Sequence, residues 1–189
     1  MSQEQRLTGI LGASPTLMRV MEGVKGLGLP DWRLVSGCVY QTVWNHVTGR
    51  EPDYGLKDYD TVYFDPDVSW DAEDVFIRRA AAAFPPPLDA MVEVRNQARV
   101  HLWFEQKFGE PYAALSCTDE ALERFVCPAF AVGARLEGDG RISVAAPFGL
   151  DDLFAMRLRP NPNRPITAAA FTRVSDSARA RWPELKIEP

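Results

Sequence analysis

The sequence predicts an α/β to α+β domain, and three observations carry that prediction. Helix-like and strand-like segments alternate over the first 110 residues in the order α-β-α-β-α-β-α, and a mixed tail follows. The chain is 189 residues long and 46% hydrophobic, enough to bury one substantial core. Turn and capping residues punctuate the periodic segments, without internal repeats or low-complexity runs. The core is expected over residues 1–110. A small mixed C-terminal appendage is expected over residues 111–189, packed on the core as one compact unit.

The elements follow in order. Ser14-Pro15 offers an N-cap and a first-turn proline, and Leu17, Val20, Met21, Val24 and Leu27 recur at helical spacing until Gly28 and Pro30. Residues 32–35 read as a short strand, broken by Ser36-Gly37 before a helix over 38–47 that closes at Gly49. A loop over 50–57 leads to a β-branched and aromatic strand over 58–64. Ser69 caps the next helix, whose first turn carries Asp71, Glu73 and Asp74, until Pro85-Pro86-Pro87 ends it. Residues 91–94 are strand-like. Residues 98–107 read as one helix with Val100, Trp103 and Phe104 on one face. Thr118 caps a short helix to Phe125, and Glu137-Gly138-Asp139-Gly140 turns a hairpin between 130–136 and 141–145. A short helix at 150–154, a Pro/Asn-rich link and a final helix around Phe171 and Val174 complete the chain.

Composition excludes several function classes. The net charge is −5, so a basic footprint for duplex nucleic acid is not expected. Cys38, Cys117 and Cys127 form no C-x-x-C pair, which argues against a zinc ribbon or a disulfide framework. No apolar run approaches the ~18 residues of a membrane span, and MSQEQRLTG lacks the regions of a secretory signal. A cytoplasmic protein with no membrane partner is expected.

The stretch GLKDYDTVYFD, residues 55–65, sets two aspartates against an apolar strand. On a strand, Asp58 and Asp60 project to one face, ~6.6 Å apart. Such a pair suits a hard cation bound through oxygen, and two-metal phosphoryl chemistry uses carboxylates of this kind. Glu93 stands alone among apolar residues on the next strand and can complete the set. Ser36-Gly37 is a small-residue turn at a helix N-terminus, a place suited to phosphate. Lys57 beside the pair, and Arg95 after Glu93, are candidate phosphate contacts. The competing readings are structural: a strand-edge pair bonded to Lys57 or to backbone amides, an ion pair of Glu93 with Arg95 or Arg99, and a simple tight turn at Ser36.

The remaining polar clusters have plainer explanations. Asp65, Asp67, Ser69 and Asp71 mimic the start of a calcium loop, but Trp70 and Phe76 stand where glycine and glutamate are required, so turn and cap chemistry accounts for them. Asn96 with Arg99 reads as a helix-start network. His46 and His101 read as structural, Trp44, Trp103 and Phe104 as core, and Asp151-Asp152 as a capped helix start.

The blocks VSGCVYQTVWNHVTG, GLKDYDTVYFD, VEVRNQARVHLWF and APFGLDDLF together resemble a family of mostly uncharacterised bacterial nucleotidyltransferase-like proteins of the polymerase-β type, from about Leu34 to Pro160. The resemblance implies a mixed sheet flanked by helices, Mg²⁺ (or Mn²⁺) as cofactor and a nucleoside triphosphate as substrate. It assigns Asp58, Asp60 and Glu93 as metal ligands and catalytic residues, and Ser36 and Gly37 as phosphate binders. The implied reaction transfers a nucleoside monophosphate to a small-molecule or protein hydroxyl and releases pyrophosphate. Two other classes fit the same residues: a nucleotide-binding regulator without catalysis, and a protein-interaction module built on the fold.

Overall fold

The computed structural model describes residues 1–164 and 166–188. The chain begins with α1 (Gln3–Gly12) and α2 (Pro15–Gly26), capped by Ser2 and Ser14. Sequence reading assigned no helix to α1. Its signals were there: a reciprocal capping box between Ser2 and Gln5, and Leu7, Ile10 and Leu11 buried on one face. Strand β1 (Arg33–Leu34), α3 (Gly37–Val47), β2 (Tyr59–Tyr63), α4 (Trp70–Ala83), the short α5 (Leu88–Met91) and β3 (Val92–Asn96) follow. Then come a 3₁₀ helix (Gln97–Leu102), α6 (Phe104–Phe108), α7 (Asp119–Leu122) and a second 3₁₀ turn (Pro128–Phe130). The hairpin β4 (Gly133–Leu136) and β5 (Ile142–Ala145) leads to α8 (Asp151–Phe154), β6 (Arg157–Leu158), α9 (Ala168–Arg179) and β7 (Lys186–Ile187).

Five strands form one mixed sheet in the order β3-β2-β1-β4-β5. Strands β2 and β3 are parallel, and the other neighbours are antiparallel. The hairpin from beyond residue 110 therefore extends the same sheet that carries β2. Strand alternation sorts the side chains. Tyr59, Thr61 and Tyr63 on β2, with Val92, Val94 and Asn96 on β3, point into the core, where α3 and α4 pack. Asp60, Val62, Glu93 and Arg95 occupy the opposite face. One core joins Leu7, Leu17, Met21 and Trp44 to Leu153, Leu158 and Trp182, so the first and last segments share a single apolar interior. Among the described residues no helix is long and apolar enough to cross a membrane.

Four sequence expectations change. The helix expected over 98–107 is two pieces, because the Asn96 side chain accepts from the Ala98 N–H and starts a 3₁₀ turn that ends at Trp103. Trp103 and Phe104 are only half-buried, whereas Trp44 is the core residue predicted. Thr118 does not cap α7; its hydroxyl donates to the Asp31 carbonyl. Asp152 does more than open a helix: it is 5% exposed and accepts from Arg157 and Arg159, which fastens α8 to β6 and the segment beyond it. The two-residue pair β6–β7 carries too few residues for any periodicity to register.

Candidate active site

Strand β1 ends at Leu34, and the chain reverses through Ser36 into α3. Ser36 adopts φ 63°, ψ −140°, a region essentially reserved for glycine and costing roughly 1–3 kcal/mol for other residues. The turn is fastened to β2, since the Val35 N–H donates to the Asp60 carbonyl at 2.9 Å. Val39 and Tyr40 donate to the Ser36 carbonyl, while the N–H groups of Gly37 and Cys38 have no preceding helical turn to bond. Gly37 is closely approached by two side chains. A Cβ there would sit 2.7 Å from Gln41 Nε2 and 3.9 Å from Asp58 Oδ1, so a larger residue would have to displace the end of the Gln41 side chain while only touching Asp58.

Asp58 is exposed just before β2, which begins at Tyr59, and Asp60 lies one residue inside the strand. Parallel register sets Asp60 directly opposite Glu93. Asp60 and Glu93 thus lie side by side on one face of the sheet, Asp58 precedes the strand rather than lying on it, near enough to act on Asp60, and the N-terminus of α3 is beside them. Burial, reinforced by the charge of Asp58, pushes the Asp60 carboxyl up to about 6; the Ser36 hydroxyl lowers it, Glu93 raises it further and Arg95 offsets part of that. Among the described residues neither Asp58 nor Asp60 enters an ion pair. Glu93 does: Arg95 Nη2 donates to its Oε2 at 3.1 Å on the exposed face. Lys57 is exposed in the loop before β2.

Whether this donor set suits a divalent cation follows from its chemistry. The groups are hard carboxylate oxygens, mutually repelling and without a cationic partner at either aspartate, which is the combination a small divalent cation relieves. Among the described residues the buried Gln41 Oε1 beside Gly37 also lacks a partner. No three His, Cys, Asp or Glu side chains among the described residues converge into a cage. A cation here would rest on Asp58 and Asp60 and take its remaining ligands from phosphate and water, the usual habit of Mg²⁺.

The loop that delivers Asp58 is pinned from distant parts of the chain. Asn45, fully buried on α3, donates to the carbonyls of Pro52 and Tyr54 at 3.0 and 2.9 Å and accepts from Trp182 Nε1 at 2.9 Å. Arg181 donates to the Gly55 carbonyl, and Arg50 pairs with Glu184. On the other side, Glu73 is 5% exposed; it accepts from the Asn96 N–H at 2.8 Å and pairs with Arg99, locking α4 to the end of β3. Arg99 is thereby structural, while Arg95 faces the open side. His101 is half-buried, its Nδ1 unpartnered among the described residues, and does not border the cleft, and His46 is exposed. Cys38 is fully buried under the aspartates, and desolvation holds its thiol well above the usual range, which disfavours a thiolate nucleophile.

A cleft of about 320 Å³ opens over this face. Ser36, Asp60 and Arg95 line it together with Trp103, Phe104, Tyr112, Arg124 and Arg164, the last four packed as one aromatic-guanidinium cluster. Sequence reading found the first group through D-x-D and the small-residue turn. It missed the second, which α6, α7 and the segment before α9 bring together only in three dimensions.

A profile of a nucleotidyltransferase family matches residues 22–187. Among solved structures, a protein whose NMR structure reveals a CCA-adding enzyme head domain superposes with a TM-score of 0.77 at 22% identity, over 98% of this chain and 96% of that one. A Thermotoga maritima CCA-adding enzyme complexed with tRNA superposes with a TM-score of 0.56 at 16% identity, over 97% of this chain. The chain spans only 42% of that enzyme. No curated protein matches. At these identities the superpositions establish the fold, and the mixed five-stranded sheet flanked by helices is a nucleotidyltransferase fold. The family match covers most of the sequence, and the chain belongs to the nucleotidyltransferase family.

Proposed function

We propose that the protein transfers a nucleoside monophosphate from a nucleoside triphosphate to an acceptor hydroxyl, with Mg²⁺ or Mn²⁺ held by Asp58 and Asp60. The observation that carries this reading is that Asp60, with Asp58 close enough to raise its carboxyl, lies beside a strained Ser36 and the Gly37 start of α3 on a nucleotidyltransferase sheet. A divalent cation bound there neutralises phosphate charge and polarises the phosphoryl group under attack.

The chain's own groups do the rest. The N–H groups at the start of α3 and the Ser36 hydroxyl hold the terminal phosphates, aided by the positive end of the helix. Arg95 and Lys57 add charge at the open face. Glu93, opposite Asp60, takes the proton of the acceptor hydroxyl. The acceptor oxygen bonds the α-phosphorus as the bond to the bridging oxygen breaks, and pyrophosphate leaves with that electron pair. Rigid donors at the helix start stabilise the charge that builds on the phosphoryl oxygens.

The acceptor is a small-molecule or protein hydroxyl, since the net charge of −5 opposes a long polyanion. One observation favours a different acceptor: the Thermotoga neighbour is complexed with tRNA, which points to an RNA 3′ hydroxyl. The test is a transfer assay with α-labelled and γ-labelled nucleotides, using metabolite, protein and RNA fractions as acceptors. Transfer of the α label alone, lost in Asp58→Asn and Asp60→Asn, supports the reading. Transfer of the γ label makes the protein a kinase. Metal-dependent nucleotide binding with no transfer into any fraction makes it a regulator.

A further inference from the structure

The aromatic part of the cleft contrasts with the part that holds Asp60. Trp103, Phe104, Tyr112 and Phe125 line it, and two guanidinium groups lie on its aromatic rings. Phe104 and Tyr112 pack at 4.5 Å between centroids, with Arg164 over Phe104 at 5.6 Å and Arg124 over Tyr112 at 5.9 Å. Arg164 is fully engaged, donating to the Arg124 carbonyl and to Glu110 Oε2, both at 2.7 Å. The Arg124 guanidinium is in no ion pair or hydrogen bond among the described residues.

The backbone of this wall offers little to a ligand's donors. The Glu123 and Phe125 carbonyls accept from Asn161 Nδ2 at 2.8 and 2.6 Å, the Val126 carbonyl from the Asn161 N–H at 2.9 Å, and the Arg124 carbonyl from Arg164. What remains on this wall is an aromatic platform with the Tyr112 hydroxyl and the donor-only Arg124 guanidinium, with Gln97 elsewhere in the lining. Aromatic platforms stack any base. A guanidinium pairs with two adjacent acceptors, as O6 and N7 of guanine provide, and meets a competing donor at the N6 amine of adenine.

We propose that this part of the cleft seats the base of the nucleotide, and that Arg124 selects a base with two adjacent acceptors, guanine over adenine. The proposal rests on the nucleotidyltransferase reading for the phosphates and adds the base subsite. Ser36, Asp60 and the aromatic cluster line one continuous cleft, so a nucleotide with its phosphates at α3 can place its base against the aromatic wall.

The experiment is equilibrium titration of the full chain with GTP, ATP and inorganic tripolyphosphate, each with Mg²⁺, and with guanosine alone in the absence of metal. Arg124→Met, Tyr112→Ala and Tyr112→Phe are compared with the parent, with folding checked by circular dichroism and melting. The expected order is GTP tightest, on the order of tenfold over ATP, with tripolyphosphate weakest. Arg124→Met removes the difference between GTP and ATP. Tyr112→Ala weakens both nucleotides and guanosine, and Tyr112→Phe restores them. If tripolyphosphate binds as tightly as either nucleotide, the base subsite is refuted while the phosphate reading stands. If GTP and ATP bind equally, or their ratio survives Arg124→Met, the selecting role of Arg124 is refuted. If guanosine binds through Tyr112 but no triphosphate does, the subsite stands and the transferase reading fails. Binding of none of the four overturns both.

Discussion

Replacing Asp60 with Asn removes a charge that the fold holds at a cost. In the unfolded chain this carboxyl titrates near 3.8; in the folded chain burial and Asp58 push it up to about 6. The native state therefore binds the proton more tightly, and stability falls as pH rises from about 4 to 6. Above that window the ionised group costs about 3 kcal/mol, from 1.36 kcal/mol for each pH unit of separation. Local relaxation and solvent reduce this, so a gain of about 1–3 kcal/mol is expected for Asp60→Asn at neutral pH. Asn keeps the size of the side chain, which limits repacking. Urea unfolding of parent and variant in metal-free buffer reads the difference at pH 4 and at pH 7. The variant should be the more stable at pH 7, with the gap closing toward pH 4. Equal stability at pH 7, or a gap that does not change with pH, would refute the electrostatic account. Added Mg²⁺ should then raise the melting temperature of the parent and leave the variant nearly unmoved, because a ligand stabilises only the form that binds it.

Other substitutions probe the parts that hold the site. Ser36→Gly relieves the positive φ and should stabilise the fold by about 1 kcal/mol in urea unfolding, yet weaken Mg²⁺-nucleotide binding by removing the hydroxyl that faces Asp60. Gly37→Ala drives a Cβ to 2.7 Å from Gln41 Nε2 and should lower nucleotide affinity more than it lowers the melting temperature. Asn45→Ala breaks three hydrogen bonds of a fully buried side chain and should cost about 2–4 kcal/mol, with protease cleavage appearing in the 50–57 loop. Gly23→Ala would bring a Cβ within 2.3 Å of the Phe84 ring and should destabilise by about 1–3 kcal/mol without affecting nucleotide affinity in the folded fraction.

Local signals located the candidate site, because its parts are local. The strand holding Asp60, the break at Ser36-Gly37 and the strand holding Glu93 each announce themselves by alternation or by small residues, and parallel pairing then set Asp60 opposite Glu93. The supports were not legible. Asn45 lies in a helical run and meets Trp182 from 137 residues away, and Glu73 looked like a dipole-favoured helix start until Arg99 and the Asn96 N–H closed on it. Trp103 and Phe104 read as core because helical phase places large apolar residues inward. The Asn96 cap breaks that phase and turns them toward the cleft. Arg124 and Arg164 are 40 residues apart and meet through a backbone carbonyl, which no pattern of residue types encodes.

Calorimetric titration of Mg²⁺ with each nucleoside triphosphate, for the parent beside Asp58→Asn and Asp60→Asn, tests the central claim most directly. Binding that requires the metal, occurs in the folded parent and disappears in both variants is the predicted result. Binding that persists in the variants or without the metal would contradict the assignment of the aspartates. Folded parent protein that gives no heat with any nucleotide would contradict the transferase account itself and favour an interaction module on the same fold.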